Sequence, residues 1–270
     1  MKAVILCGGL GTRFMPFSKA VPKEMYPIVD TPALTLIAAE AALSGYTDIA
    51  VVINPHKKII SDFFSPSNAG IMGSGIVQKL KSGTVDALSH ARFSFIIQEQ
   101  SLGTAHAAML ARAFTAGDPF ALLNGDDLMY SDIPVVAQLD RAHARCCGSV
   151  VGVQKRQIPE ILNCGVIDIR EDFGGGLFRI SRIAEKPDAE SLPSDKCSLG
   201  RYLLTNDIFD AIERIPRVGG EYRLTDAIDI LAAEKAVYAY EFSGRRFDLG
   251  NPAGALEANN FYMAINGRKE

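Results

Sequence analysis

Three cations stand within eleven positions near the start of the chain: Arg13, Lys19 and Lys23. They are interleaved with Pro16, Pro22 and Pro27, whose rings restrict the backbone and hold the charges on a stiff ribbon. An arginine fork matches two phosphate oxygens, and a lysine adds a compact point charge. Just before them runs Gly8-Gly9-Leu10-Gly11-Thr12-Arg13, where missing Cβ atoms let backbone N–H groups close on phosphate oxygens. Read alone, the glycines equally fit a tight turn and the cations a solvated basic loop. Together they point to a phosphate-bearing ligand. Two common phosphate loops do not fit. Phe14 occupies the place of the third glycine of a dinucleotide fingerprint, and Thr12-Arg13-Phe14 does not supply the Gly-Lys-Ser/Thr of a Walker loop.

A second chemical group is Leu122-Leu123-Asn124-Gly125-Asp126-Asp127, an apolar run ending in paired carboxylates. Such a strand end suits a hard cation, because Mg²⁺ prefers oxygen ligands and keeps several waters. A Gly-Asp-Asp triplet also fits an ordinary surface turn, and Asp127 fits either a turn cap or a ligand contact. Gln98-Glu99-Gln100-Ser101-Leu102-Gly103-Thr104-Ala105-His106 runs from a strand end into a helix start, where N–H groups face outward. No Ser/His/Asp set is visible, and the four histidines, His106 among them, read as structural.

These residues need elements to hold them. Lys2–Cys7, Asp48–Ile53, Phe93–Gln98, Phe120–Asn124 and Ser149–Gln154 read as strands. Helical spacing fills Pro32–Gly45, Pro55–Phe64, Thr104–Phe114 and Ile133–Arg145. Alternating strands and helices imply an α/β fold, with a parallel sheet covered on both faces. Right-handed crossovers then place the strand C-terminal ends on one edge, so functional loops are expected after Cys7, Ile53, Gln98 and Asn124. Beyond about residue 155 the pattern loosens into a hairpin (Gly165–Ile169 and Leu177–Ala184) and a strand at Leu199–Leu204. Helices at Asp207–Ile215 and Leu224–Glu234, a strand at Ala236–Phe242 and a closing helix at Pro252–Ile265 complete it. Ser65–Gly83, rich in Gly and Ser, reads as an irregular loop.

With 270 residues, 48% of them hydrophobic and 22% charged, the chain can bury a core of ordinary size. A formal net charge of −3, with no long run of one sign, argues against tracking nucleic acid or an anionic membrane surface. No stretch approaches the ~20 apolar residues of a membrane span. The five cysteines form no C-x-x-C pair, as expected of reduced thiols in a cytoplasmic protein.

The run G-G-L-G-T-R-F-x-P-x-S-K-A-x-P-K-E-M-x-P-I-V-D over Gly8–Asp30 resembles the opening of bacterial UTP–glucose-1-phosphate uridylyltransferases, within the sugar-phosphate nucleotidyltransferases. Five further blocks follow in that family's order. They are Gln98–Ala107, Leu122–Asp127, Asn163–Val166 with Glu185-Lys186-Pro187, Gly219–Ile228, and Arg246–Pro252. The resemblance implies a Rossmann-like, mostly parallel central sheet with a smaller sugar-binding α+β portion, in a single domain. Its nucleotide half would be residues 1–155 and its sugar-phosphate half residues 156–270. The activity implied is formation of UDP-glucose and pyrophosphate from UTP and glucose 1-phosphate.

Residue by residue, the resemblance puts the triphosphate on Gly8, Gly9, Gly11, Thr12 and Arg13. It puts Lys23 at the reacting phosphate, and the pyrimidine base on Gln98 and Gly103. Mg²⁺ falls to Asp126 and Asp248, with Asp127 beside the ligand. Gly165 lies near the sugar, Glu185 accepts hydrogen bonds from its hydroxyls, and Lys186 holds the attacking phosphate. Cys164 departs from the pattern, since tyrosine is usual there, and this touches sugar preference. Glu221 is either sugar-side or structural, and Thr225 or Asp226 either functional or a helix cap. A homodimer or homotetramer is implied as well. The alternatives are a relative using dTTP or another sugar 1-phosphate, and a non-catalytic sugar-nucleotide-binding subunit. The latter should lose the loop arginine or the carboxylates.

Overall fold

A computed structural model of the chain describes residues 1–65 and 84–266. The Gly- and Ser-rich segment expected to be an irregular loop lies, from residue 66 to 83, outside the described residues. The strands are β1 (Lys2–Cys7), β2 (Pro27–Ile28), β3 (Thr31–Pro32), β4 (Asp48–Ile53), β5 (Arg92–Ile97), β6 (Phe120–Asn124) and β7 (Asp127–Tyr130). They continue with β8 (Ser149–Lys155), β9 (Gly165–Asp172), β10 (Leu177–Glu185), β11 (Lys196–Leu204), β12 (Val237–Glu241) and β13 (Arg245–Asp248). Nine of them form one sheet in the order β5-β4-β1-β6-β11-β8-β12-β10-β9, and β9 also pairs with β11. Two small sheets, β13-β7 and β2-β3, stand apart.

The sequence Ala-Val-Ile-Leu-Cys of β1 is apolar throughout because the strand is covered on both faces. Successive side chains divide between the two sides. Ala3, Ile5 and Cys7 join one buried cluster with Leu34, Ile37 and Ala38 of helix α1 (Ala33–Leu43). Val4 and Leu6 join the other, with Ala105 and Ala108 of the helix Thr104–Leu110. β1 pairs in parallel with β4 and β6, and β4 with β5. The register aligns Cys7 with Ile53, Ile53 with Ile97, and Leu6 with Asn124. The four loops expected on one edge therefore share that edge.

The sheet is mixed beyond β6. β11 runs antiparallel between β6 and β8, and β10 runs antiparallel between β12 and β9. The apolar text of β11 identifies a buried strand, but its direction depends on the path of the connection before it. The helix expected over Thr104–Phe114 is broken at Ala111 into Thr104–Leu110 and Arg112–Thr115. Asp207–Ile212 ends three residues earlier than its spacing implied. The β7–β13 pair had no counterpart among the expected elements, and it matters for the site because it joins Asp127 to Asp248 in register.

Candidate active site

The glycine loop leaves β1 at Cys7 and turns at Gly11, whose φ of 67° lies in the left-handed region. Phe14 N and Ser18 Oγ donate to Gly11 O at 2.9 and 2.7 Å, closing the loop onto the proline ribbon. Beneath it, Asn54 Nδ2 and Ser101 Oγ donate to Gly8 O at 3.2 and 3.0 Å, and Lys57 Nζ to Cys7 O at 2.7 Å. Polar groups at the ends of neighbouring strands thus hold the loop from below.

Gln98 follows β5 and is buried. Its Nε2 donates to Gly103 O at 3.2 Å and to His106 Nδ1 at 2.9 Å. Burial holds His106 below its ordinary pKa, so the ring stays neutral and Nδ1 accepts. The opposite end of the amide presses on the loop: a Cβ on Gly8 would lie 1.8 Å from Gln98 Oε1. Gly103 has φ +98°, and a Cβ there would lie 2.5 Å from Tyr222 O. That close approach lets Tyr222 N donate to Leu102 O and Ala105 N to Tyr222 O, joining the Gly219–Ile228 block to the Gln98 block. Thr104 Oγ1 accepts from Leu224 N and caps the helix Leu224–Glu234, one of the two roles open to Thr225 or Asp226 in the sequence.

Arg13, Lys23, Asp126 and Asp248 converge. Lys23 Nζ forms an ion pair with Asp126 Oδ2, and Arg13 Nη1 lies 3.8 Å from Asp248 Oδ2. A Cβ placed on Gly250 would lie 2.5 Å from Arg13 Nη2, 2.8 Å from Asp248 Oδ1 and 3.1 Å from Asp126 Oδ2. Only a glycine leaves that point open. Leu249 N donates to Asp126 O at 2.8 Å, fixing one carboxylate loop to the other, and Gly250 N donates to Asp248 Oδ1 at 2.8 Å within its own loop. Burial disfavours the Asp126 anion, but the Lys23 ammonium outweighs it and holds the carboxyl below its usual range. Burial likewise opposes the Lys23 cation, and Asp126 with Glu24 pushes its pKa up. Asp126 and Asp248 are the hard oxygen donors in this group that could hold a divalent cation.

Asp127 faces inward. Arg246 Nε donates to its Oδ1 at 2.6 Å and Asn124 Nδ2 to its Oδ2 at 2.9 Å, while Arg201 Nη2 donates to its backbone carbonyl at 2.9 Å. Burial raises its pKa despite the Arg246 charge. With both oxygens engaged by protein, Asp127 acts as a brace for Arg246 in this geometry and does not present itself to a ligand. Arg246 was not singled out from the sequence. It stands two residues before Asp248 on β13, and strand alternation puts both on one face of the strand.

Gly165 and Glu185 are register partners on β9 and β10. A Cβ on Gly165 would lie 3.2 Å from Glu185 Oε2 and 3.0 Å from Thr225 Cγ2, so two blocks meet there. Lys186 adopts φ +47°, a costly backbone state for a residue with a Cβ, and its N–H donates to Cys164 O at 3.0 Å. Cys164 is half-buried, and its thiol shares a hydrogen bond with that of Cys197, which lowers its pKa, with Arg246 and Arg156 nearby adding to the effect. The charge of Arg246 is felt by both Asp127, which it contacts directly, and Cys164.

Residues 2–265 match the nucleotidyl transferase family. The chain is 39% identical over 262 residues to UTP--glucose-1-phosphate uridylyltransferase 1 of Staphylococcus saprophyticus, covering 95% of this chain and 90% of the relative. It is 37% identical over 268 residues to the UTP--glucose-1-phosphate uridylyltransferase of Staphylococcus haemolyticus, covering 97% and 91%. Among solved structures, a UDP-glucose pyrophosphorylase complexed with UDP-glucose superposes with a TM-score of 0.87 at 32% identity, covering 98% of each chain. A UTP-bound UGPase from Acinetobacter baumannii gives 0.84 at 29% identity, covering 97% of this chain and 92% of that one.

Proposed function

The chain belongs to the nucleotidyl transferase family, and from that premise we propose that it makes UDP-glucose and pyrophosphate from UTP and glucose 1-phosphate. The observation that carries the reading is the meeting of Arg13, Lys23, Asp126 and Asp248 around Gly250, at the edge where β1 and β6 end. Relatives across nearly the whole chain carry the UTP–glucose-1-phosphate uridylyltransferase name.

An oxygen of the sugar 1-phosphate attacks the α-phosphorus of UTP in line, and the bond to pyrophosphate breaks. The attacking oxygen is already an anion, so no side chain has to remove a proton. What the protein must supply is position and charge neutralisation. Gly8, Gly9, Gly11 and Thr12 offer backbone to the triphosphate, and Arg13 neutralises the leaving pyrophosphate. Lys23 serves the reacting phosphate. Gln98, oriented by His106, meets the pyrimidine edge, with the base lying against the Gly103 backbone. Glu185 accepts from sugar hydroxyls beside Gly165, and Lys186 places the attacking phosphate. The paired carboxylates Asp126 and Asp248 fit a hard divalent cation, and Mg²⁺ held there would lend positive charge to the phosphate oxygens.

In this reading residues 1–155 serve the nucleotide and residues 156–270 the sugar phosphate, in a cytoplasmic homodimer or homotetramer. No helix among the described residues is long and apolar enough to cross a membrane. Cys164, in place of the tyrosine usual in the family, is the residue that bears on a different sugar. Products formed from UTP and dTTP, each offered with glucose, galactose and mannose 1-phosphates, test the assignment. UDP-glucose should dominate; preferential formation of a dTDP-sugar or another UDP-sugar would move the chain to the runner-up specificity.

A further inference from the structure

Lys57 belongs to none of the blocks discussed above, yet it is one of the few buried cations among the described residues, 5% exposed. It ends the short turn Pro55–Lys57 that follows β4. Its ammonium donates to Glu24 Oε1 at 2.7 Å, Glu24 Oε2 at 2.8 Å and Cys7 O at 2.7 Å. A lysine has three N–H groups, and three acceptors surround it. One side chain therefore ties three strand-end segments together. These are the last carbonyl of β1 before Gly8, the Pro22-Lys23-Glu24 turn, and the turn after β4.

The charge arithmetic gives this tie a consequence. Glu24 is 1% exposed, and burial raises its pKa against the pull of two ammonium groups, Lys57 and Lys23. A buried carboxylate must be neutralised by a partner. Lys57 engages both of its oxygens, while Lys23, next to Glu24 in the chain, pairs with Asp126 instead. We propose that Lys57 is a positioning residue: by neutralising Glu24 it keeps the Lys23 ammonium on the Asp126 side, where the reacting phosphate is handled. The proposal rests on the role given to Lys23 above. Without Lys57, Glu24 becomes the competing partner for Lys23, and Asp126 is left exposed to other cations.

The test compares the wild-type chain with Lys57→Met and with Lys57→Met/Glu24→Gln, measuring Mn²⁺ binding without nucleotide alongside turnover. Lys57→Met should lose about a hundredfold in kcat, the scale of a small misplacement of a reacting group. It should also bind Mn²⁺ several-fold more tightly, because Lys23 has left Asp126. The double variant, with no carboxylate to draw Lys23 away, should return both quantities most of the way to wild type. A merely structural role predicts the opposite sign for the metal, since a loosened site binds it more weakly. Lost turnover with unchanged or weaker Mn²⁺ binding, or a double variant no better than the single, overturns the proposal. If Lys57→Met does not fold, Lys57→Gln and Lys57→Gln/Glu24→Gln carry the same comparison. Failure of the functional reading itself would look different: the wild-type chain would form no nucleotide sugar, while the Mn²⁺ comparison would still report where Lys23 rests.

Discussion

Lys23 and Asp126, 103 residues apart in the chain, form an ion pair in the site. Arg13 stands beside Asp248 in the same way. Two of the three cations assigned to phosphate are thus set against carboxylates assigned to metal, which keeps the charges neutral in pairs. Lys23→Met removes one member of this arrangement, and pyrophosphate release should fall on the order of 10²–10³-fold, as for loss of one transition-state donor. Steady-state turnover, with circular dichroism as the check on folding, measures it. Turnover close to wild type would remove Lys23 from the reaction.

Gly8 and Gln98 are in direct contact, and the room between them is less than a methyl group needs. Gly8→Ala should push Gln98 off its bonds to Gly103 and His106. The expected result is a raised KM for UTP with the KM for glucose 1-phosphate little changed. An equal rise in both would mean that the loop as a whole, and not the base contact, had been disturbed.

His106 adds a pH dependence whose sign can be worked out. Burial lowers its pKa from 6.5, so between the two values the unfolded chain binds a proton that the folded chain does not. Its contribution to stability is full above the unfolded value and falls as pH drops through the folded one. Protonation also removes the Nδ1 acceptor that orients Gln98. UDP-glucose binding followed by calorimetry should therefore weaken as pH falls below the ordinary histidine value and through the lowered one. His106→Asn, whose carbonyl still accepts, should show a flatter profile; identical profiles would exclude this histidine.

Arg246 neutralises Asp127, which is 4% exposed. Arg246→Met leaves that carboxylate with Asn124 and more distant charge, and breaking one side of a buried pair costs about 3–5 kcal/mol. Urea unfolding should register a loss near the lower end, because the arginine is not fully buried. Adding Asp127→Asn should recover much of it. A loss below about 1 kcal/mol would place the pair with ordinary surface ion pairs.

Much of this site can be read from the chain because its chemistry is carried by short segments at strand ends. Lys2–Cys7 with its glycines, and Phe120–Asn124 with its carboxylates, each specify a strand, a turn and a set of functional atoms within a dozen residues. What could not be read are relations between distant segments. Nothing local in Arg245–Asp248 says that it pairs with β7, and nothing in Lys196–Leu204 says that β11 runs against its neighbours. Asp248 could be offered as a partner of Asp126 only through resemblance, and the geometry that unites them depends on Gly250. Arg246 and Lys57 escape notice for the same reason, and the structural reading of His106 does not say which residue it holds. Each acts by holding another residue, and a supporting side chain has no motif of its own.

The most direct test is pyrophosphate release and UDP-glucose formation from UTP, glucose 1-phosphate and Mg²⁺ by the wild-type chain, Arg13→Ala and Asp126→Ala, each verified as folded. The account predicts stoichiometric UDP-glucose and pyrophosphate from the wild type, and losses on the order of 10²-fold or more in both variants. Near-normal release by both variants, or tight UDP-glucose binding by a wild-type chain that does not turn over, would contradict it.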